Sequence, residues 1–122
     1  MKFYRCEICG NIIAYVEDSG VPIVCCGEEM QEIVPGTVEA SREKHIPVVT
    51  KDGNRVTVRV GSVDHPMTAA HSIQWIAIEC KHGNQRKLLS VDAAPEATFL
   101  LTEDDAFIAA YAYCNLHGLW KA

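Results

Sequence analysis

A chain of 122 residues, 48% of them apolar and with a formal charge of −5, is sized for one ordinary domain or for a small module beside a domain of about 85 residues. No apolar run approaches the roughly 20 residues that span a bilayer, and no basic cluster or stripe is present to neutralise phosphates, so the composition speaks against a membrane span and a nucleic-acid partner. The opening Met1-Lys2-Phe3-Tyr4-Arg5-Cys6 holds no signal-like apolar segment, which makes a cytoplasmic location the expectation, and in a reducing compartment clustered cysteines point to metal ligation before disulfides.

The charge is uneven: residues 1–36 carry six acids against two bases, and residues 37–122 carry ten against nine. An acidic chain repels small anions at long range, so an anionic substrate needs a local positive site. The first segment reads Cys6-Glu7-Ile8-Cys9-Gly10, then, after fifteen residues beyond Cys9, Cys25-Cys26-Gly27. Two such loops can bring four sulfurs to one tetrahedral ion, and zinc and iron both accept that donor set. Neighbours in a regular strand face opposite sides, so Cys25 and Cys26 reach one ion only if the backbone turns sharply, a turn that Gly27 relieves. A redox pair of thioredoxin type would leave the second two cysteines unexplained. Residues 12–16 and 21–24 flank the polar stretch 17–20 and predict a hairpin. About 36 residues bury little core, so the ion supplies stability that packing lacks and dimerisation adds to it. Pro35-Gly36 marks the predicted boundary.

Beyond that boundary the pattern is predominantly β. Residues 46–49 and 55–60 flank 51–54, with Asp52-Gly53 as the turn signal. The second run alternates, with Val56, Val58 and Val60 on one face and Thr57 and Arg59 on the other. Strands over 73–80, 86–90, 97–101 and 106–113 complete a small antiparallel sandwich. The last run holds four alanines, compatible with a helix, but Phe107, Tyr111 and Tyr113 favour a strand that leads directly into Cys114.

His45, His65 and His71 each lie at the edge of a strand-like run, and Cys114 and His117 stand three positions apart near the last residue. A fold that joins those edges gathers four imidazoles and one sulfur around a point. Cys80 and His82 offer a competing arrangement, a zinc site of two cysteines and two histidines with Cys114 and His117, which strands the other three histidines. Cys80 reads better as a free thiol at a strand end and His82 as a loop residue.

Cys6-x-x-Cys9 with Cys25-Cys26, then Glu43-Lys44-His45-x-Pro47, His65-Pro66-Met67, His71-x-Ile73-x-Trp75-Ile76 and Cys114-Asn115-x-His117-Gly118, occur in the order of the desulfoferrodoxin family, the two-iron superoxide reductases. The chain resembles that family over essentially all its residues. The resemblance implies a mainly β protein in which residues 1–36 form a desulforedoxin-like, rubredoxin-like module holding one iron on Cys6, Cys9, Cys25 and Cys26. It implies that residues 37–122 form an immunoglobulin-like antiparallel β-sandwich holding a catalytic iron on His45, His65, His71, His117 and Cys114. By the same resemblance the protein is a homodimer that reduces superoxide to hydrogen peroxide by one electron and is re-reduced by a rubredoxin-like donor. The histidines would lie in the equatorial plane, with Cys114 opposite an open sixth position and the amides of Leu116 and His117 directed at its sulfur. Lys44 would steer and stabilise the anion, and Glu43 would cap the ferric site. Ser72 stands where many relatives carry an aromatic residue and Ala70 where a charged one is common; neither removes a ligand. An electron carrier using the four cysteines alone and a structural protein with zinc in both clusters are the alternatives, separated by metal analysis and a visible spectrum.

Overall fold

In the computed structural model, which describes residues 1–122, the chain is mainly β and divides into two units, Met1–Val34 and Pro35–Ala122. In the first unit β1 (Tyr4–Arg5) lies between β2 (Ile12–Ile13) and β5 (Gln31–Glu32), while β3 (Val24–Cys25) pairs with β4 (Glu28–Glu29), all antiparallel. The hairpin predicted between residues 12–16 and 21–24 does not form. Ile12 and Ile13 pair back on Arg5 and Tyr4 across the first cysteine loop, and Val24 turns onto Glu29 across the second. Val16 and Val21 are exposed, so the two runs have no shared apolar face to hold them together. Turn hydrogen bonds decide the pairing instead: Gly10 N–H donates to the Cys6 carbonyl and Cys6 N–H to the Asn11 carbonyl, both at 2.9 Å. The sharp bend at the adjacent cysteines is present, because Cys26 (φ 53°) and Gly27 (φ 80°) form the two-residue turn between Cys25 and Glu28. Consecutive positive φ values suit the twist of so short a hairpin.

The second unit begins with a single helical turn, α1 (Arg42–His45), where the sequence pattern predicted only the approach to a strand. One turn is too short to leave a periodic signature. Next come β6 (Pro47–Asp52), β7 (Arg55–Val60), β8 (Ile73–Cys80), β9 (Gly83–Leu88), β10 (Glu96–Leu100), β11 (Phe107–Cys114) and β12 (Gly118–Lys121). They make two antiparallel sheets, ordered β10-β7-β6 and β12-β11-β8-β9. Val56, Val58, Val60, Ala97 and Phe99 of the first sheet pack with Ile76, Ile78, Ala110 and Ala112 of the second in one buried layer. Each fully buried valine, isoleucine or phenylalanine there contributes roughly 1.5–3 kcal/mol. The alanine-rich run is a central strand, as its aromatic residues predicted: Tyr113 stands opposite Trp75, and their rings stack at 5.4 Å. No helix is long and apolar enough to cross a membrane.

Antiparallel pairing brings the start of β6, the end of β7, the start of β8 and the end of β11 to one end of the sheets, with Pro47 opposite Val60 and Cys114 opposite both Ile73 and Gly118. Register in the β11–β8 pair shifts between Tyr113 and Cys114. Such an irregularity re-aims one side chain at the end of a strand. The segments 42–45, 61–72 and 114–117 all emerge at this end.

Candidate metal centres

Those segments bring together His45, His65, His71, Cys114 and His117, whose ligand atoms lie within 4.8 Å of one another. His45 closes α1, His65 and His71 lie between β7 and β8, Cys114 ends β11, and His117 sits in the turn to β12. The four rings form a cycle. Adjacent pairs, His45–His65, His65–His71, His71–His117 and His117–His45, stand edge to face with centroids 4.6, 4.6, 5.0 and 4.9 Å apart, while His45 and His71 face each other across it at 6.4 Å. His45 Nε2 is 3.1 Å from both His65 Nε2 and His117 Nδ1. Two nitrogens about 2.1 Å from one ion and at right angles to each other are separated by about 3.0 Å, so the spacing suits a shared ion.

Hydrogen bonds at the far side of two rings fix which nitrogen faces inward. His45 Nδ1 donates to the Ser41 carbonyl and His65 Nδ1 to the Pro66 carbonyl, each at 2.7 Å, which leaves the Nε2 lone pairs turned to the centre. His71 Nε2 is buried without any hydrogen-bond partner. A bound cation resolves that orphan, and no protein group does. Cys114 is fully buried, and its Sγ stands 3.8 Å from His117 Nδ1. Burial pushes its thiol up, and the amides of Leu116 and His117 oppose that shift by hydrogen bonding to the sulfur. The residues therefore fit a metal of imidazole and thiolate preference.

Burial lowers His45, His71 and His65, the last to about 4 from an ordinary 6.5, and repulsion among the rings adds to the effect. A histidine with a lowered folded-state pKa takes its proton more readily when unfolded. The metal-free protein should therefore lose stability as pH falls below about 6.5, by up to about 1.4 kcal/mol per unit for each such group, and the His65 contribution should level off below about 4. Urea midpoints of chelator-stripped protein at pH 7.5, 6 and 4.5 check this; an unchanged midpoint would contradict the lowered pKa of these three rings.

Residues without ligand atoms hold the centre together. Asn115 Oδ1 accepts the Ser72 N–H at 3.0 Å, its Nδ2 donates to the Ala70 carbonyl at 2.9 Å, and its own N–H donates to the Ser72 carbonyl at 3.2 Å. The residue after Cys114 thus brackets His71 on both sides. Ala70 and Ser72 both enter this network through their backbones. Trp120 Nε1 donates to the His117 carbonyl at 3.0 Å, and its ring lies 4.9 Å from that of His45. Glu43 and Lys44 are exposed on α1. The Lys44 charge helps lower His45 and His71, after burial and the other rings, so its ammonium acts on the cluster. α1 rests on the turn after β7: Val63 N–H and Ser62 Oγ donate to the Glu43 carbonyl at 3.1 and 3.3 Å. Sequence reasoning did not single out Trp120, and it read Asn115 only as part of a motif.

In the first unit Cys6, Cys9, Cys25 and Cys26 form a second group with sulfurs within 4.8 Å. Cys9 Sγ is 3.6 Å from Cys25 Sγ, which is 4.0 Å from Cys26 Sγ. A tetrahedron of bonds near 2.3 Å has edges of about 3.8 Å, so these four also fit one ion. The Cys9 amide pulls Cys6 down to about 6 against burial, while Cys9 and Cys6 push Cys26 up to about 12. Four thiols that resist joint ionisation lose that conflict to a cation. Cys80 is buried at the end of β8, raised by burial, and His82 is exposed; neither joins either group, so the competing zinc arrangement is not assembled.

Comparison with known proteins agrees with this division. Residues 37–122 match the desulfoferrodoxin family model, and residues 1–33 match that of the desulfoferrodoxin N-terminal domain. A desulfoferrodoxin of Nitratidesulfovibrio vulgaris is 43% identical over 99% of this chain and 94% of its own. A desulfoferrodoxin homolog of Archaeoglobus fulgidus is 42% identical over 100% and 96%. The crystal structure of the superoxide reductase from Treponema pallidum superposes with a TM-score of 0.84 at 43% identity, over 99% of this chain and 97% of that one. With both groups of ligands gathered and both family models matched along one chain, the protein belongs to the desulfoferrodoxin family.

Proposed function

We propose that the chain is a two-iron superoxide reductase, in which residues 1–36 form a desulforedoxin-like iron-binding domain and residues 37–122 an immunoglobulin-like catalytic sandwich. The observation that carries the reading is the cycle of four imidazoles joined by one buried thiol, with the charge of the exposed Lys44 acting on it. His45, His65, His71, His117 and Cys114 would hold a ferrous iron, which would supply the electron that, with two protons, converts superoxide to hydrogen peroxide. The chain's own groups set the conditions. Cys114 donates electron density from within the core, and the amides of Leu116 and His117 moderate that donation by hydrogen bonding to sulfur. The lowered pKa of His45, His65 and His71 keeps protons from competing at those rings, and protons for the product come from solvent.

Lys44 answers the repulsion that an acidic protein exerts on an anion. Its ammonium attracts superoxide and stabilises charge that develops there, and Glu43 on the same helical turn would be the carboxylate to cap the oxidised centre. Lys44→Ala should lower the second-order rate with superoxide about tenfold and flatten its dependence on ionic strength; an unaltered rate in pulse radiolysis would remove the steering role. The sequence and family further support a cytoplasmic homodimer re-reduced by a small rubredoxin-like protein. Metal analysis, a visible spectrum and a superoxide-consumption assay test the whole reading. Two irons per chain with rapid superoxide loss support it, and two zinc ions or an inert iron protein defeat it.

A further inference from the structure

The turn that seats α1 and carries His65 is tied to the sheet by an ion-pair cluster outside both metal groups. Val56, Val58 and Val60 point into the core, so alternation places Arg59 on the outer face of β7. Its guanidinium grips Asp64 as a fork, Nε donating to Oδ1 at 2.7 Å and Nη2 to Oδ2 at 2.5 Å, while Nη1 donates to Glu96 Oε2 at 2.6 Å. Glu96 is the register partner of Arg59 across the β10–β7 pair, so strand pairing orients the guanidinium before it meets Asp64. Exposed ion pairs contribute little in general, and bidentate geometry within a network is the condition under which they matter.

Asp64 is bonded directly to His65, whose N–H donates to the Val60 carbonyl at 3.3 Å and whose ring is anchored on the Pro66 carbonyl. Two residues earlier in the same turn, Ser62 donates to Glu43 on the Lys44 helix. We propose that Arg59 is a positioning residue for the five-ligand centre: through Asp64 it fixes the turn 61–65, and with it the aim of the His65 ring and the seat of the Lys44 helix. The inference rests on the reading of that group as an iron centre and is independent of the oxidant it serves. Losing a group that orients a ligand typically lowers metal affinity by about 10–100-fold, and a clamp acting through one backbone link belongs at the lower end.

The test uses the full-length iron-loaded protein and a ferrous chelator. Arg59→Lys keeps the charge and loses the fork; Asp64→Asn removes the acceptor charge; Glu96→Gln keeps an acceptor oxygen for Nη1 and leaves the fork on Asp64 intact. Iron release from the five-ligand group should be about tenfold faster in Arg59→Lys and Asp64→Asn, near parental in Glu96→Gln, and no faster in the Arg59→Lys/Asp64→Asn double variant than in either single one, since the pair acts as a unit. The visible absorption of the four-cysteine iron should not change in any of them. Parental release from both single variants, or effects that add in the double variant, overturns the clamp while leaving the iron centre standing. A parent protein that takes up no iron at the five-ligand group overturns the centre and the clamp together.

Discussion

Cys114→Ser should eliminate superoxide reduction while the four-cysteine iron remains in place. Removing a group that merely orients a ligand typically costs about 10–100-fold, so removing the thiolate itself should lower the rate by more than about a hundredfold. The substitution is chemically sharp because the surroundings need not change. Cys114 is fully buried at the end of β11 opposite Ile73 and within the apolar core, and the amides of Leu116 and His117 remain available to an oxygen. A neutral hydroxyl supplies far less electron density than a thiolate, and the amides that moderate a strong donor have little left to moderate. Rapid-mixing assays of superoxide loss, iron content per chain and the spectrum of the first unit are the measurements. Retained activity would show that the sulfur is a packing group and would sink its role as electron donor.

The strands of the second unit were legible because their signal is local. Residues 55–60 and 73–80 have the bounds predicted for them, since a valine face every second residue, or a run ended by a polar turn, needs no distant partner to be read. The gathering of His45, His65, His71, Cys114 and His117 was legible for a different reason: thiols and imidazoles are chemically distinctive, and their motifs occur in a family order. Residues 12–16 and 21–24 misled because apolar composition predicts pairing only where packing follows. In a small module organised by cysteine loops, turn geometry chose other partners. β12 was hidden because its four residues, the first of them Gly118 of the last ligand motif, are too few to show an alternating pattern. The supports of the site were the least legible, since Asn115 with Ser72, or Val63 with Glu43, are contacts between distant segments made largely by backbone atoms. Spacing along a chain carries no trace of them.

Gly61→Ala is the substitution in which such a hidden support should be most costly. Gly61 has φ +90°, and a Cβ there would meet the Val63 carbonyl oxygen at 2.2 Å, the Glu43 carbonyl oxygen at 2.8 Å and Lys44 Cα at 2.9 Å. All three are backbone atoms, so no side-chain rotation relieves them. Gly53, at φ +58° in the hairpin between β6 and β7, has nothing within 4 Å of the equivalent position. Gly53→Ala therefore measures conformational strain alone, about 1 kcal/mol. Keeping the native turn in Gly61→Ala would require more than about 4 kcal/mol, the range reached only through overlap or buried defects. The turn should rearrange instead. Because Glu43, Lys44 and His65 all depend on it, Gly61→Ala should lose iron from the five-ligand group and lower the superoxide rate by more than about a hundredfold, a loss beyond that expected of a single ligand-orienting contact. The four-cysteine spectrum should persist in both variants. Urea unfolding, iron content and superoxide consumption on the pair separate overlap from strain, and a Gly61→Ala protein that matches Gly53→Ala in all three would show that α1 can leave the turn without disturbing the site.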